Sequence, residues 1–408
     1  MTNKTTLYRI AALAALVATG ACSDLLTVES PGRISDSDVQ TKDAIPGLVT
    51  GMKYNLSDAV TSNLEILELA SEEMFHGGSY DWADIPRGVI NDDDPGVNGS
   101  WSQTQQARWV AEDGIAKLTE EMDASEFAKS PYVARAYIYA GYSNRILGGS
   151  WCSSVIDGGP EVPNTDHFAR AVEQFTSAIP IAQAAGDNDL VSAAYAGRAQ
   201  VKVLMGDWSG AAADAAQVPA NFTFYAEVDI EMRNDLAYET HDRNEYTVYQ
   251  TYMADHPDDA RAPWEIAYNN DGSVANGANG STPMYRQEKF ADNGSDVALS
   301  KGTEMLLVQA EAALQGGAGG IGAAYDFMNQ ARDVYGMAHL TPAADLAGAY
   351  TDLRFERGAT LWLETRRLED LRRWYAATGP AHDDTLAGRA LCLPISKEEK
   401  LANSNFRG

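Results

Sequence analysis

Several short segments carry residues of the types used in catalysis. The segment GAGGIG (317–322) fits the G-x-G-x-x-G pattern, which binds a pyrophosphate when it follows a strand and opens a helix. Here it follows the helical stretch TEMLLVQAEAAL, so we interpret it as the turn of a helix hairpin. Acidic pairs such as Glu72–Glu73 could serve as glycosidase carboxylates, but that chemistry requires two carboxylates about 5–10 Å apart across a sugar. With 58 acidic residues in the chain, such pairs are expected by chance.

Motifs for metals and nucleophiles are weak in this sequence. The six histidines form no H-E-x-x-H, and no Cys/His cluster has zinc spacing. A calcium loop at NDDDPG (91–96) is conceivable, but Pro95 and the missing distal glutamate break the EF-hand pattern. No G-x-S-x-G is present. The sequence therefore predicts a protein that is not an enzyme and has no cofactor, and it leaves a structural metal open.

Two long irregular segments place aromatic rings among polar residues. Sugars present flat apolar C–H faces on which exposed Trp and Tyr rings stack, while Asn, Asp and Gln bond the hydroxyls. Loops this long inside a compact chain are more often functional than not. We expect ligand contacts from these rings, although each ring could instead pack locally and pin its loop. The rings are Tyr80 and Trp82 in the segment 76–101, and Trp264, Tyr268 and Tyr285 in the Gly/Asn/Ser-rich segment 262–287.

The N-terminus has the features of an export signal. Lys4 and Arg9 precede an apolar run, Ile10–Ala18, which is too short for a membrane span of roughly 20 residues. The small residues that follow lead straight into Cys22, an arrangement that resembles the bacterial lipobox, in which the cysteine becomes the lipidated first residue. We predict a signal peptide over residues 1–21, a lipid anchor at Cys22 and sorting to the outer membrane. An ordinary signal with a nearby free thiol is the alternative.

The charge of the chain limits its partners. Loss of Lys4 and Arg9 with the signal peptide takes the formal net charge from −27 to −29. So acidic a protein is repelled by phosphate backbones and anionic lipid, which argues against nucleic acid as a partner. Two cysteines remain, Cys152 and Cys392, and in an exported protein we expect them to form a disulfide. Two buried, unpaired thiols are the alternative.

The segments that must position these loops have helical periodicity. In AVEQFTSAIPIA the residues Ala171, Phe175, Ala178 and Ala182 fall on one helix face, and AAADAAQV and AAYDFMNQARDVY repeat the spacing. Each follows another helical stretch, and the spacing is typical of the second helix of a tetratricopeptide unit. The sequence predicts a mostly α fold of tetratricopeptide-like helix pairs in a single domain over 22–408. Its long insertions are expected near 76–101, 148–166 and 220–300.

One block carries a family resemblance. ERGATLWLETRRLEDLRRW (356–374) resembles a motif of the SusD/RagB family of nutrient-uptake lipoproteins. Thr360 and Thr365 depart from the glutamate and glycine usual there. Read as one helix, the block would place Glu364, Arg367 and Asp370 on a single face as an ion-pair ladder, which we interpret as structural. The matching residues are Glu356, Arg357, Leu361, Glu364, Arg367, Asp370, Leu371, Arg373 and Trp374.

Other blocks resemble the same family, so the likeness extends from Cys22 nearly to the C-terminus. The resemblance implies a SusD-like protein that sits as a lid on a SusC-like TonB-dependent transporter at the cell surface, captures a nutrient (often a glycan) and hands it down without catalytic turnover. A helical-repeat adaptor of the cell envelope that binds only protein is the alternative, and the aromatic loops favour the first. These blocks are 22–32, 43–56, 68–73, 101–118, 303–314 and 393–406.

Overall fold

Helices make up more than half of the described residues, which confirms the mostly α-helical fold predicted from the periodicity of the sequence. The computed structural model describes residues 41–79, 81–229 and 231–406. Short turns of 3-10 helix occur at Lys42–Ala44, Asp81–Arg87 and Gly379–Ala381, and a π-helical turn at Tyr238–Asp242. The α-helices are α1 (Ile45–Ala70), α2 (Pro95–Glu121), α3 (Ala124–Phe127), α4 (Pro131–Ser150), α5 (Thr165–Ala185), α6 (Asn188–Met205), α7 (Trp208–Ala215), α8 (Asp235–Ala237), α9 (Gly302–Leu314), α10 (Gly320–Val334), α11 (Leu346–Thr360), α12 (Arg367–Ala376) and α13 (Lys397–Ala402).

The strands of the described chain are short and pair in twos. All four pairs are antiparallel: β1 with β5, β2 with β3, β4 with β8, and β6 with β7. They join loops to one another rather than form a layer of their own. The strands are β1 (Phe75–His76), β2 (Ser153–Val155), β3 (Glu161–Pro163), β4 (Thr223–Ala226), β5 (Tyr246–Thr247), β6 (Trp264–Ile266), β7 (Tyr285–Gln287) and β8 (Val297–Lys301).

The three predicted helix pairs are present. Helix α4 packs on α5, α6 on α7 and α9 on α10. The largest buried apolar cluster joins α1, α2, α4, α5 and α12. The first half of GAGGIG (317–319) forms the turn between α9 and α10, with φ of +89° at Gly319, and its second half (320–322) begins α10; the segment is thus part of a helix hairpin, as interpreted from the sequence.

Glycines allow the first two pairs to stack closely. The fully buried ring of Phe175 on α5 lies between α4 and α6. A Cβ atom at Gly141 would come within 2.7 Å of this ring, and one at Gly197 within 2.3 Å. Both distances are shorter than real carbon–carbon contacts, so the large residue at Phe175 requires glycine on each neighbouring helix.

The first irregular segment is shorter than predicted. Residues 95–101 are helical, because Asp94 caps the N-terminus of α2 and Pro95 occupies its first turn. The Oδ1 atom of Asp94 accepts hydrogen bonds from Gly96 N (2.8 Å) and Val97 N (3.3 Å). In the predicted insertion near 148–166, α4 continues to Ser150 and the hairpin β2–β3 follows.

The motif at 356–374 is not one helix, so the predicted ion-pair ladder is wrong. Helix α11 ends at Thr360, and α12 begins at Arg367. Between them Leu363 (φ +58°) and Thr365 (φ +62°) adopt left-handed conformations, which end a right-handed helix. Helical spacing therefore does not relate Glu364 to residues of α12.

The charged side chains of the motif pair with other elements instead. Glu364 forms ion pairs with Lys289 (2.6 Å), which precedes β8, and with Lys301 (2.7 Å), the last residue of β8. Asp370 is paired with Arg357 of α11 (2.8 Å) and, within α12, with Arg373 (2.6 Å). These buried contacts join α11, α12 and the segment around β8.

A disulfide and hydrogen bonds attach the C-terminal segment to the end of α4. Cys152 and Cys392 are bonded, with their Cα atoms 5.6 Å apart. The indole N–H of Trp151 donates to Pro394 O (3.0 Å), and Leu393 N donates to Ser150 O (2.9 Å). The chain end is thus fixed to the first helix pair.

The predicted signal peptide (1–21) and lipid-anchor residue Cys22 lie outside the described residues. Within the described part of the chain, no helix is long and apolar enough to span a bilayer.

Candidate ligand site

Two of the predicted rings form a stacked pair on a hairpin. In the register of β6 and β7, Ile266 lies opposite Tyr285 and Trp264 opposite Gln287. Trp264 is therefore a diagonal neighbour of Tyr285 on the same face of the hairpin. Their rings stack with centroids 5.0 Å apart and planes 4° apart. Each ring thus covers one face of the other, and both rings are partly buried against the largest apolar cluster.

This pair is fixed by its neighbours. The indole N–H of Trp264 donates to Met253 O (3.0 Å), which satisfies its polar end. Tyr249 meets Tyr285 edge-to-face, with centroids 5.4 Å apart. Thr247 Oγ1 accepts a hydrogen bond from Tyr285 N (2.9 Å) and so attaches β7 to β5. The aromatic surface is a packed unit rather than a set of independent rings.

The third ring of this segment is the most exposed one. Tyr268 has 62% of its surface exposed. It lies two residues beyond the end of β6 and pairs across the hairpin with Val274, in an isolated β-bridge. Alternation along the strand direction places it on the same side as Trp264.

Polar residues at the hairpin tip are organised by bonds among themselves. Asp271 Oδ1 accepts hydrogen bonds from Ser273 N (3.0 Å) and Ser273 Oγ (2.6 Å). Asn269 Nδ2 donates to Ser273 Oγ (3.1 Å), and Asn279 Oδ1 accepts from Thr282 N (3.0 Å). Such side-chain-to-backbone turns hold a loop in one conformation without a packed core. The loop is therefore ordered before any ligand binds.

The two predicted aromatic segments contact each other. Strand β1 pairs with β5, and Gly77 N donates to Glu245 O (2.8 Å). Gly77 O in turn accepts from Asn279 N (3.0 Å) in the second segment. Trp82, however, contacts Tyr246 rather than joining the Trp264 pair, with ring centroids 6.3 Å apart. The side chain of Trp82 is partly buried, and Tyr80 lies outside the described residues.

Acidic side chains lie beneath this junction. Glu245 accepts hydrogen bonds from Ser79 N (2.6 Å) and Ser79 Oγ (3.0 Å). Burial, followed by the charge of Glu245, raises the pKa of Glu239 to about 7. Burial, followed by the charge of Asp235, raises the pKa of Glu65 to about 8. Part of this cluster is therefore protonated at neutral pH.

The acidic residues do not form a metal centre in the described chain. No group of three or more His, Cys, Asp or Glu residues in residues 41–79, 81–229 and 231–406 is placed to hold a metal ion. The aspartates of NDDDPG have other partners. Asp92 pairs with Lys400 (2.8 Å), Asp93 pairs with Lys397 (3.1 Å), and Asp94 caps α2.

Reasoning from sequence missed Tyr249 as a member of the aromatic unit. The segment EYTVYQTY (245–252) carries the available signal, since its tyrosines recur every third residue next to the Gly/Asn/Ser-rich segment. That spacing fits neither a regular strand nor a regular helix, and the segment is a strand of two residues followed by turns.

The sequence of the C-terminal half matches a known family. Residues 213–403 match the family model described as the SusD family. The matched residues include the motif at 356–374. No curated protein sequence matches the chain.

Solved structures share the fold over nearly their whole length. A SusD homolog from Bacteroides thetaiotaomicron is 14% identical over 92% of this chain and 98% of its own, with a TM-score of 0.72. A SusD-like carbohydrate binding protein from Bacteroides vulgatus is 13% identical over 89% of this chain and 97% of its own, with a TM-score of 0.66. Surface glycan-binding protein A from Bacteroides uniformis is 14% identical over 90% and 98%, with a TM-score of 0.66. At such identities the likeness shows the fold.

Proposed function

We propose that this protein is a lipid-anchored binding protein of the outer membrane that captures an oligo- or polysaccharide and delivers it to a TonB-dependent transporter. The observation that carries the proposal is the stacked pair of Trp264 and Tyr285, together with the exposed Tyr268 four residues beyond Trp264. Rings held in one orientation offer flat apolar surfaces to pyranose C–H faces at little cost in side-chain entropy.

The surroundings of these rings also fit a carbohydrate. The hairpin tip carries Asn, Asp and Ser side chains whose remaining lone pairs and N–H groups face solvent, where sugar hydroxyls can bond them. Two solved structures of the same fold are named as carbohydrate- or glycan-binding proteins. We assign binding without turnover.

Delivery requires that the protein sit next to a transporter. Lipidation at Cys22 would hold it at the membrane surface, and its net charge would steer it toward basic extracellular loops of a barrel. We propose that the ligand face, with Trp264 and Tyr268, is turned toward the barrel. Binding of the glycan would then be tighter in the complex than in the isolated protein.

The proposal is tested first by ligand binding. The protein without residues 1–22 is titrated with soluble starch, xylan, laminarin, mannan and pectin in affinity gels and by calorimetry. We expect retention by at least one polymer, and a tenfold or greater loss of affinity, about 1.4 kcal/mol, in Tyr268→Ala. Tyr54→Ala is the matched control, because Tyr54 is also a half-exposed tyrosine (50%) but lies on α1. No retention by any polymer would overturn glycan capture.

The adaptor alternative has one observation in its favour. A cleft of about 480 Å³ lies between α7, α9 and α10 and is lined by apolar groups that include Trp208, Ala312 and Phe327. Such a cleft could take a peptide side chain. A detergent pull-down with a tag after residue 408 separates the two functions. Recovery of a transporter supports delivery, whereas recovery of other envelope proteins without any glycan binding supports the adaptor.

A further inference from the structure

A second cleft opens on a different part of the molecule. It is bounded by the middle of α2, the turn of the hairpin β2–β3 and the start of α13, and it encloses about 340 Å³. That volume lies at the lower end of the roughly 300–1,000 Å³ typical of small-molecule sites. Its lining includes Gln105, Gln106, Arg108, Trp109, Asp157 and Glu399. Of the residues proposed above as ligand contacts, none lines it.

We propose that this cleft is a second glycan-binding site, with Trp109 as its stacking platform; the assignment of a glycan rests on the proposed function. Trp109 has 54% of its surface exposed, although a free tryptophan on a helix surface costs hydrophobic stabilisation. In the described part of the chain, no residue accepts a hydrogen bond from its indole N–H. The ring face and the N–H are both available to a ligand.

Polar groups around the ring remain free to bond hydroxyls. Gln106 is exposed, and in the described chain its amide makes no hydrogen bond. Asp157 uses Oδ1 to accept from Arg108 Nη2 (2.8 Å), which leaves Oδ2 open on a side chain that is 57% exposed. Glu399 uses Oε1 to accept from Asn403 Nδ2 (2.9 Å). An amide and two carboxylates beside one ring are a recognition set suited to a sugar.

The floor of the cleft is rigid because a buried network holds it. Only 3% of the surface of Arg108 is exposed. Its guanidinium group donates to Gln105 Oε1 (3.1 Å), Glu112 Oε2 (2.7 Å) and Asp157 Oδ1. Gln105 donates onward to Val155 O (2.9 Å). The backbone of Asp157 is left-handed (φ +52°), a conformation that aspartate tolerates better than most residues and that this ion pair helps to hold.

The network keeps its charge state over a wide pH range. Burial alone would raise the pKa of Glu112, but Arg108, Asn144 and Arg170 bring it below its ordinary value. Burial, followed by the charge of Arg108, lowers the pKa of His167 to about 3, so this histidine is neutral. Its Nδ1 and Asn144 Oδ1 are 2.7 Å apart, which extends the network to α4. Ligand binding here should therefore change little between pH 5 and 8.

The composition of the cleft favours a glycan over a protein partner. Protein interfaces have an apolar centre depleted of charged residues. This cleft instead has one exposed ring surrounded by amide and charged groups, with Val155 as its aliphatic residue. A single ring among polar side chains matches one apolar sugar face. A polysaccharide could then be held at two separated points, which raises its avidity over that of a short oligosaccharide.

Fluorine NMR can follow both sites at once. The protein without residues 1–22 is labelled with 5-fluorotryptophan, which gives one resonance for each of its eight tryptophans. Trp109→Phe and Trp264→Phe assign the two resonances of interest. Soluble starch, xylan, laminarin, mannan and pectin are added in turn. We expect one of these polymers to shift the Trp109 resonance in the wild type and also in Trp264→Ala.

Affinity measurements complete the test. Trp109→Ala should lower retention by that polymer at least threefold while leaving the affinity for a short oligosaccharide of the same sugar within twofold. Its circular dichroism should match that of the wild type, because the ring is half exposed. A shift of Trp264 without one of Trp109 would overturn the second site and leave the proposed function standing. No response of either ring would overturn both, and a Trp109 response to a solubilised transporter alone would show a protein interface instead.

Discussion

The carboxylate of Glu73 accepts a hydrogen bond from the backbone N–H of Leu363, 290 positions away in the chain, over 2.9 Å. Glu68 accepts from Thr365 N (2.8 Å) in the same way. Leu363 and Thr365 are the two left-handed residues of the turn between α11 and α12. Two fully buried carboxyl groups at the end of α1 therefore hold the turn that interrupts the 356–374 motif.

The two carboxyl groups of this pair should respond differently to amide substitution. Both oxygens of Glu73 accept hydrogen bonds, from Leu363 N and from Tyr252 Oη (2.8 Å). In Glu73→Gln the amide NH₂, itself a donor, would face one of these two donors and leave it without an acceptor. We therefore expect a loss of about 2–4 kcal/mol in the free energy of unfolding. Burial, followed by the charge of Glu73, raises the pKa of Glu68 well above its usual range, so Glu68 is already neutral.

Glu68→Gln is the control for that experiment. A glutamine at this position keeps an oxygen for Thr365 N and gains a donor for Glu73, so its free energy of unfolding should stay within about 1 kcal/mol of the wild type. Urea denaturation of both variants at pH 7 measures the difference. Equal losses in the two variants would show that the proton is not localised on Glu68.

The spacing of small and large residues predicts the helix pairs because the residues that pack between neighbouring helices are close to one another in sequence. Phe175 needs small partners within its own repeat and the next, and those partners are nearby in sequence. The turn at 361–366 could not be predicted in this way. Its left-handed residues are stabilised by carboxyl groups from the far end of the chain. A glycine at 365 would have indicated the positive φ, but this chain has Thr365.

The candidate site was predictable in composition but not in arrangement. The aromatic and Asn/Ser content identified the segment that carries Trp264, Tyr268 and Tyr285. The stacking of Trp264 on Tyr285 depends on the register of two strands joined by a long loop, which composition does not determine. Composition also predicts Trp82 as a ligand contact, since its segment combines aromatic and polar residues, yet its ring contacts Tyr246.

The close contact at Phe175 predicts a large effect of a single methyl group. In Gly197→Ala the new Cβ would lie 2.3 Å from Phe175 Cζ, so the ring or the helices must shift. We expect a loss of about 1–3 kcal/mol in the free energy of unfolding.

Gly51→Ala is the matched control, because Gly51 is also within a helix but has no atom within 4 Å of the added Cβ. It should be neutral or stabilising by up to about 1 kcal/mol. Similar values for the two variants in urea denaturation would contradict the stacking described for Phe175.

The disulfide should stabilise the protein by constraining the unfolded chain. Cys152 and Cys392 are 240 positions apart, for which the loop-entropy estimate is about 5.5 kcal/mol; typical measured values are about 2–4 kcal/mol. The double variant Cys152→Ser, Cys392→Ser should unfold at a lower temperature and be insensitive to a reducing agent. The oxidised wild type should lose stability when reduced. Peptide mapping without reductant that recovers both residues as free thiols would refute the bond.

The acidic cluster beneath the candidate site predicts a pH dependence of stability. The folded-state pKa of Glu65 is raised to about 8, above an unfolded value near 4.5. A group of this kind favours the folded state below its unfolded pKa, and the benefit is lost as pH rises toward the folded pKa. Glu239, with a pKa of about 7, acts in the same direction. Stability should therefore fall as the pH rises from about 5 to 8, by up to about 1.4 kcal/mol per pH unit for each group, with the contribution of Glu239 ending near pH 7.

Glu65→Gln isolates this effect. The glutamine cannot titrate, so its stability should decline less steeply between pH 6.5 and 8 than that of the wild type. Asp84→Asn is the control, because it makes the same acid-to-amide substitution at a side chain that is 61% exposed. Urea denaturation at several pH values gives the slopes. Parallel slopes for Glu65→Gln and the wild type would contradict the assignment.

Substitutions at Trp264 and Tyr268 should differ in their effects on the stability of the protein and on its affinity for a glycan. Trp264 is stacked on Tyr285 and hydrogen-bonded to Met253 O, so Trp264→Ala should cost about 2–3 kcal/mol of stability as well as affinity. Tyr268 is 62% exposed, so Tyr268→Ala should leave the melting temperature within about 1 °C while lowering the affinity for a bound polymer. Tyr268→Phe should retain most of that affinity, because it keeps the ring and removes only the hydroxyl. Calorimetric melting alongside affinity gels gives both quantities. An unchanged affinity in Tyr268→Ala, with wild-type binding intact, would show that this ring does not contact the ligand.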